Sequence, residues 1–121
     1  MTMNTTGTAI ATITLQAAKC AEYGATPFAC NFQSKMGVSE TVKSGVLPIN
    51  ALRVAPVGDT CGWYVWAGEW SDADDFFKPL HVEHLDKWCP ELIPFLQLPP
   101  GWRVQLAPNH EDAWFDAQLE V

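Results

Sequence analysis

Residues 61–70 read CGWYVWAGEW, and this stretch decides the fold. Trp63, Val65 and Ala67 alternate with Tyr64 and Trp66, a period of two in β-branched and aromatic residues that marks a strand. Both alternating sets are apolar, so neither side of the strand is expected to face bulk water. The segment predicts a central strand of a sheet, with a helix covering one side.

On the N-terminal side of this strand, Gly58-Asp59 marks a turn, and residues 47–54 alternate well enough for a second strand with Pro48 at its start. Residues 26–32 read as another strand, whereas 33–45 carry little periodicity. Residues 15–23 are Ala-rich, follow Thr14 as a candidate N-cap and end at Gly24, which predicts a short helix.

On the C-terminal side, residues 71–77 form an acidic loop. Val82, Leu85 and Trp88 or Cys89 fall at helical spacing within 81–88, and Pro90 permits only a break or a new turn before 91–96, giving two short helical pieces. Pro99-Pro100-Gly101 supplies a fixed φ followed by a residue tolerant of positive φ, as a type II turn requires. Residues 102–106 alternate inward Trp102, Val104 and Leu106 with outward Arg103 and Gln105. A link over 108–112 then leads to a last strand at 113–116, closing the sheet as a hairpin. The expected fold is α+β: a single small domain over 1–121, a mostly antiparallel sheet, one N-terminal helix and short helical pieces near 81–96. The first eight residues are a candidate for disorder.

A chain of 121 residues with 48% hydrophobic and 17% charged residues has enough apolar surface to fold around one core. The apolar stretch at 9–15 is broken by Thr12 and Thr14 and lacks a basic flank, so it reads as neither a signal peptide nor a membrane span, which needs about 20 apolar residues. Cys20, Cys30, Cys61 and Cys89 form no C-x-x-C pair; reduced, mostly buried thiols and a cytoplasmic location are expected.

The formal net charge of -7 is unevenly spread: residues 1–58 hold four Lys or Arg and two Glu, residues 59–121 three Lys or Arg and twelve Asp or Glu. The C-terminal half should repel nucleic acid, whose binding needs clustered Lys or Arg. An anionic surface of this kind steers cationic proteins instead.

Sites for chemistry are sparse. His81, His84 and Cys89 would place two imidazoles and a thiol near one another, but a structural zinc site wants four ligands, and helix-surface histidines beside a core Cys explain the pattern as well. Asp72, Asp74 and Glu83 sit at positions one, three and twelve of a calcium loop, yet Phe76 and Phe77 occupy positions five and six, where an oxygen ligand and a Gly are needed. No G-x-S-x-G elbow or Gly-rich phosphate loop is present, and paired carboxylates such as Glu69 with Asp72 are what there is to weigh for acid–base work, although carboxylates on an exposed loop are more often simply solvated. No catalytic residue, metal or other cofactor is assigned.

What remains is an interleaving of acids with large aromatics: Glu69, Trp70, Asp72, Asp74, Asp75, Phe76 and Phe77, then Glu111, Asp112, Trp114, Phe115 and Asp116. Aromatics supply desolvated contact area at an interface while carboxylates steer and pair with a partner's Arg or Lys. Equally, Trp70, Phe76 and Phe77 would serve only to pin an acidic loop to the core.

The order Arg53, a Pro-containing loop, Gly62-Trp63, Gly68-Glu69, an acidic stretch and then CPELIPFLQLPPGW at 89–102 resembles the bacterial immunity proteins numbered thirty-three among polymorphic-toxin immunity families. The resemblance covers residues 53–116 and departs from the family pattern in a short segment between Arg53 and Gly62 and in the N-terminal third. It implies a small α+β protein, not an enzyme, that neutralises a cognate toxin encoded beside it, with no catalytic residue carried over. A basic nuclease is the natural toxin for an acidic inhibitor, while a peptidase or a membrane-active toxin is left equally open by the charge, and the expected contact residues are Glu69, Trp70, Asp72, Asp74, Asp75, Phe76, Phe77, Glu111, Asp112 and Trp114. No nucleic-acid or membrane partner is expected, and the oligomeric state is left open. The rival readings are a small-ligand or metal-binding module, with Trp63, Trp66 and Trp102 lining a pocket, and an enzyme built on Glu69.

Overall fold

The 61–70 stretch forms a strand at Thr60–Ala67, and the sheet is assembled around it. In this computed structural model, which describes residues 5–119 and side chains from 11 onward, the strands are β1 (Lys35–Val38), β2 (Ile49–Arg53), β3 (Thr60–Ala67), β4 (Lys78–His81), β5 (Trp102–Ala107) and β6 (His110–Phe115). Their order is β4-β1-β3-β2-β5-β6. Every pairing is antiparallel except β1 with β3. One N-terminal helix, α1 (Thr5–Glu22), and 3-10 segments at Glu40–Lys43, Val82–Lys87 and Pro90–Phe95 complete an α+β domain.

Register separates the sheet into two faces. Val65 on β3 lies opposite Ala51 on β2, which lies opposite Val104 on β5, which lies opposite Ala113 on β6. This row, with Trp63, Ala67, Ile49 and Leu106, is buried beneath Leu85, Leu92, Phe95, Leu96 and Leu98 of the 82–98 region and Cys20 of α1. The main core therefore occupies one side of the sheet. Trp63 fills its centre and donates its indole N–H to the Leu96 carbonyl at 2.9 Å. α1 is tied to the Pro90–Phe95 segment by Gln16, whose amide donates to the Ile93 carbonyl at 2.9 Å and whose carbonyl accepts from Gln97 at 3.1 Å.

Several expectations need correction. α1 starts at Thr5, so Thr14 lies mid-helix and is not a cap. The helical stripe is faint in the sequence because Ile13 and Leu15 are exposed rather than core-facing. Of residues 1–8, the stretch considered for disorder, 1–4 lie outside the described residues. Residues 26–32 are irregular, not a strand. Their carbonyls are drawn to Arg53, whose buried guanidinium donates to Phe28 at 3.0 Å, Ala29 at 2.8 Å, Cys61 at 2.9 Å, Leu96 at 3.1 Å and Leu98 at 2.9 Å. Satisfying a buried cation with backbone carbonyls overrides the local preference for a strand. The 108–112 link shrinks to the two-residue loop Pro108-Asn109, and Glu111 and Asp112 join β6.

Two glycines with positive φ allow a close strand contact and a tight turn. Gly62 has φ +89, and a Cβ there would collide with the Val54 carbonyl, so β2 and β3 meet only around glycine. Gly101 has φ +99 and the Trp102 N–H donates to the Pro99 carbonyl at 3.2 Å, as the Pro-Pro-Gly motif predicts.

Candidate protein-docking face

The side of the sheet away from the main core is built from the other half of the alternation. Tyr64, Leu52, Arg103 and Trp114 form one cross-strand row, and Trp66, Asn50, Gln105 and Asp112 the next. Each row crosses three strand spacings, about 14 Å.

Over β3, this face is roofed by residues 68–77. The Trp70 ring stands edge-on to Trp66 at 5.0 Å, and Phe77 packs against Tyr64 at 5.2 Å and Trp66 at 6.1 Å. Phe76 closes the cluster on Phe77 at 4.8 Å. Gly37 of β1 underlies it, and a Cβ there would lie 2.6 Å from the Tyr64 ring, so the roof settles only over a residue without a side chain. Trp66 is left 7% exposed and Trp70 51%. Pinning and exposure thus coexist: the loop is anchored, and its largest ring remains half in solvent. Trp70 donates its indole N–H to Asp72 at 2.8 Å, while Glu69, Asp72, Asp74 and Asp75 are exposed and make no ion pair among the described residues.

Toward β6 the face is open and polar. Gln105 donates to Asn50 at 3.1 Å, the His110 ring is 3.1 Å from the Gln105 carbonyl, and Asn50 donates to the Gly68 carbonyl at 3.2 Å, joining this ladder to the loop. Arg103 pairs with Asp116 at 2.7 Å, which holds that carboxyl below its ordinary pKa. Trp114 is 39% exposed and Asp112 is exposed beside it.

Of the residues singled out from the sequence, Glu69, Trp70, Asp72, Asp74, Asp75, Phe76, Phe77, Asp112 and Trp114 belong to this side. Glu111 does not. Alternation along β6 turns it to the helix side, where it accepts from the Tyr23 hydroxyl at 2.7 Å and the Lys19 ammonium at 3.2 Å. The Tyr23 hydrogen bond, with Lys19 beside it, holds the Glu111 carboxyl below its ordinary pKa; burial and the same hydrogen bond push the Tyr23 phenol up. Leu52, Asn50 and His110 also line the face and were not singled out. Their signal was the alternation within 47–54 and the hairpin register, not residue type.

The other constellations stay apart. His81 and His84 are exposed with ring centroids 6.2 Å apart, while Cys89 is buried with its thiol 3.5 Å from Glu91, its pKa pushed up to about 12 by burial. Among the described residues no three His, Cys, Asp or Glu gather as a metal-ligand set. Trp63 and Trp66 point to opposite faces of β3, so they do not line one pocket with Trp102. One surface hollow, about 430 Å³, lies at the helix-side end of β2 and β5, and another of about 360 Å³ lies beside Arg53 and Cys61; neither is lined by Glu69 or Asp72. The buried thiols of Cys30 and Cys61 interact there, which raises the Cys30 thiol and lowers Cys61. All four cysteines are buried free thiols, and no described helix is long and apolar enough to cross a membrane.

Comparison with curated proteins gave no match, and neither did comparison with solved structures. The family model described as the Imm33-like domain matches residues 15–116, extending the 53–116 resemblance back into the C-terminal part of α1. The markers of that resemblance are scaffold: Arg53 gathers five carbonyls, Gly62 permits the β2–β3 contact, and Trp63 fills the core. With the match spanning most of its length, the chain belongs to the Imm33-like family.

Proposed function

We propose that this chain is a cytoplasmic immunity protein that binds a cognate bacterial toxin and covers its active site or substrate groove, without catalysing a reaction. The observation that carries this reading is the face just described: Trp70 and Trp114, half in solvent, stand over a sheet rimmed by Glu69, Asp72, Asp74, Asp75 and Asp112, carboxylates without an ion-pair partner among the described residues. Exposed aromatics ringed by charge are the composition of a binding hot spot. The charge is anionic, so the complementary partner is cationic, and a nuclease whose groove attracts phosphate fits best. Inhibition of this kind needs affinity alone, and nuclease–immunity pairs are among the tightest complexes known.

The test is a co-expression rescue with the toxin encoded beside this chain, joined to a pull-down of the tagged protein. Suppressed lethality together with a stoichiometric complex supports the reading. A toxin that kills equally with and without this chain refutes it, and metal or metabolite retained by purified protein would move the assignment to a ligand-binding module.

A further inference from the structure

The two edges of the sheet are built differently. β4 is four residues long and contains Lys78 and Pro79, both of which discourage another strand from pairing. β6 has six residues, no Gly, Pro or Lys, and a register with β5 that runs without a bulge from Phe115 to His110. Its closing loop is two residues long, so Ala107 and His110 are the hydrogen-bonded pair that ends the hairpin. Asp112 and Trp114 are in phase with His110, as is Asp116, whose N–H donates to the Gly101 carbonyl at 2.7 Å. The N–H and C=O groups of Glu111, Ala113 and Phe115 consequently point away from the sheet. They present an unguarded edge.

The side chains along this edge say what kind of strand it suits. Asp112 and Trp114 are two residues apart on the open face, about 7 Å along the strand, so a carboxylate and an aromatic ring both reach one incoming guanidinium or ammonium. Phe115, 54% exposed, offers an apolar contact on the helix side. A second copy of this chain is disfavoured because twelve Asp and Glu stand against three Lys and Arg in residues 59–121, so like charge would meet like.

We propose that β6 is a strand-docking edge, to which a strand of the toxin bearing Arg or Lys at alternate positions adds along residues 110–115. This rests on the toxin-binding reading and specifies its backbone component.

The experiment uses the full chain, labelled with ¹⁵N, and the toxin domain encoded beside it. Hydrogen exchange at the Glu111, Ala113 and Phe115 amides should slow on complex formation, a readout made on the wild-type chain. Phe115→Pro removes an outward N–H without touching a bond to β5, and it should weaken binding about tenfold beyond Phe115→Ala, with a melt verifying that each variant folds. Unchanged exchange at the three amides in a formed complex, or equal binding by the two folded variants, overturns the docking edge and leaves the toxin-binding reading standing. A wild-type chain that fails to bind the toxin domain overturns both. Slowed exchange at these amides in a dimer of the chain alone overturns the assignment to the toxin.

Discussion

Two tracts of nearly the same composition, the loop at 68–77 and the strand β6, meet different fates. In the loop the backbone is irregular, so Trp70 and Phe77 both turn to the platform of Tyr64 and Trp66 and Phe76 packs on the Trp70 and Phe77 rings, while the acids are exposed. In β6 the pleat imposes a period of two, which sends Asp112 and Trp114 to the open face and Glu111 and Phe115 to the helix side. Glu111 is then absorbed into a contact with Tyr23 and Lys19, and Asp112 is not. An acidic-aromatic composition alone does not identify a surface; the backbone path through it sorts anchors from contacts.

The comparison breaks most visibly at the platform. Trp66→Ala should destabilise the fold by about 3–5 kcal/mol, because it removes a large ring 7% exposed and unroofs the loop. Trp114→Ala, at the exposed end of the other tract, should cost less than about 1 kcal/mol in stability. Thermal melts that ranked the two equally would mean the loop is not anchored where its ring contacts place it.

Association with the toxin sharpens the contrast further. Reversing Asp74 and Asp75 to Lys should leave stability within about 0.5 kcal/mol of wild type and slow association about tenfold at low salt. Glu111→Lys should slow it less than Asp112→Lys, since only Asp112 belongs to the open face. Association rates for the Asp74/Asp75 reversal that match wild type at low ionic strength would remove the loop from the interface.

The smallest effect concerns pH. The Glu111 carboxyl is held below its ordinary value of 4.5 by Tyr23 and Lys19, so its contribution is present above that value and is lost as pH falls through the lowered folded-state pKa. With this half-exposed pair screened by solvent, Glu111→Gln should cost about 0.5 kcal/mol at neutral pH, and the difference from wild type should vanish in strong acid. Parallel stability curves down to that range would show that the contact does not survive in solution.

Much of the architecture was legible because it is local. The alternation in CGWYVWAGEW identified the central strand, Gly58-Asp59 the turn before it and Pro99-Pro100-Gly101 the turn into β5, since period and φ preference are properties of neighbouring residues. The acidic-aromatic surplus of the C-terminal half was equally plain from composition. β1 was not readable: its four residues Lys35–Val38 gain strand character by pairing with β3 and β4 on either side. Nor was the irregular path of 26–32, drawn by a buried cation 24 to 25 residues away in sequence. The sequence by itself therefore determined the central strand, its antiparallel neighbours β2 and β5, their turns and the concentration of acids and aromatics in the C-terminal half. Only the tertiary structure decided which of those acids face outward together, because the face a side chain occupies depends on register between strands distant along the chain, and a one-residue shift in β6 would have exchanged Glu111 for Asp112.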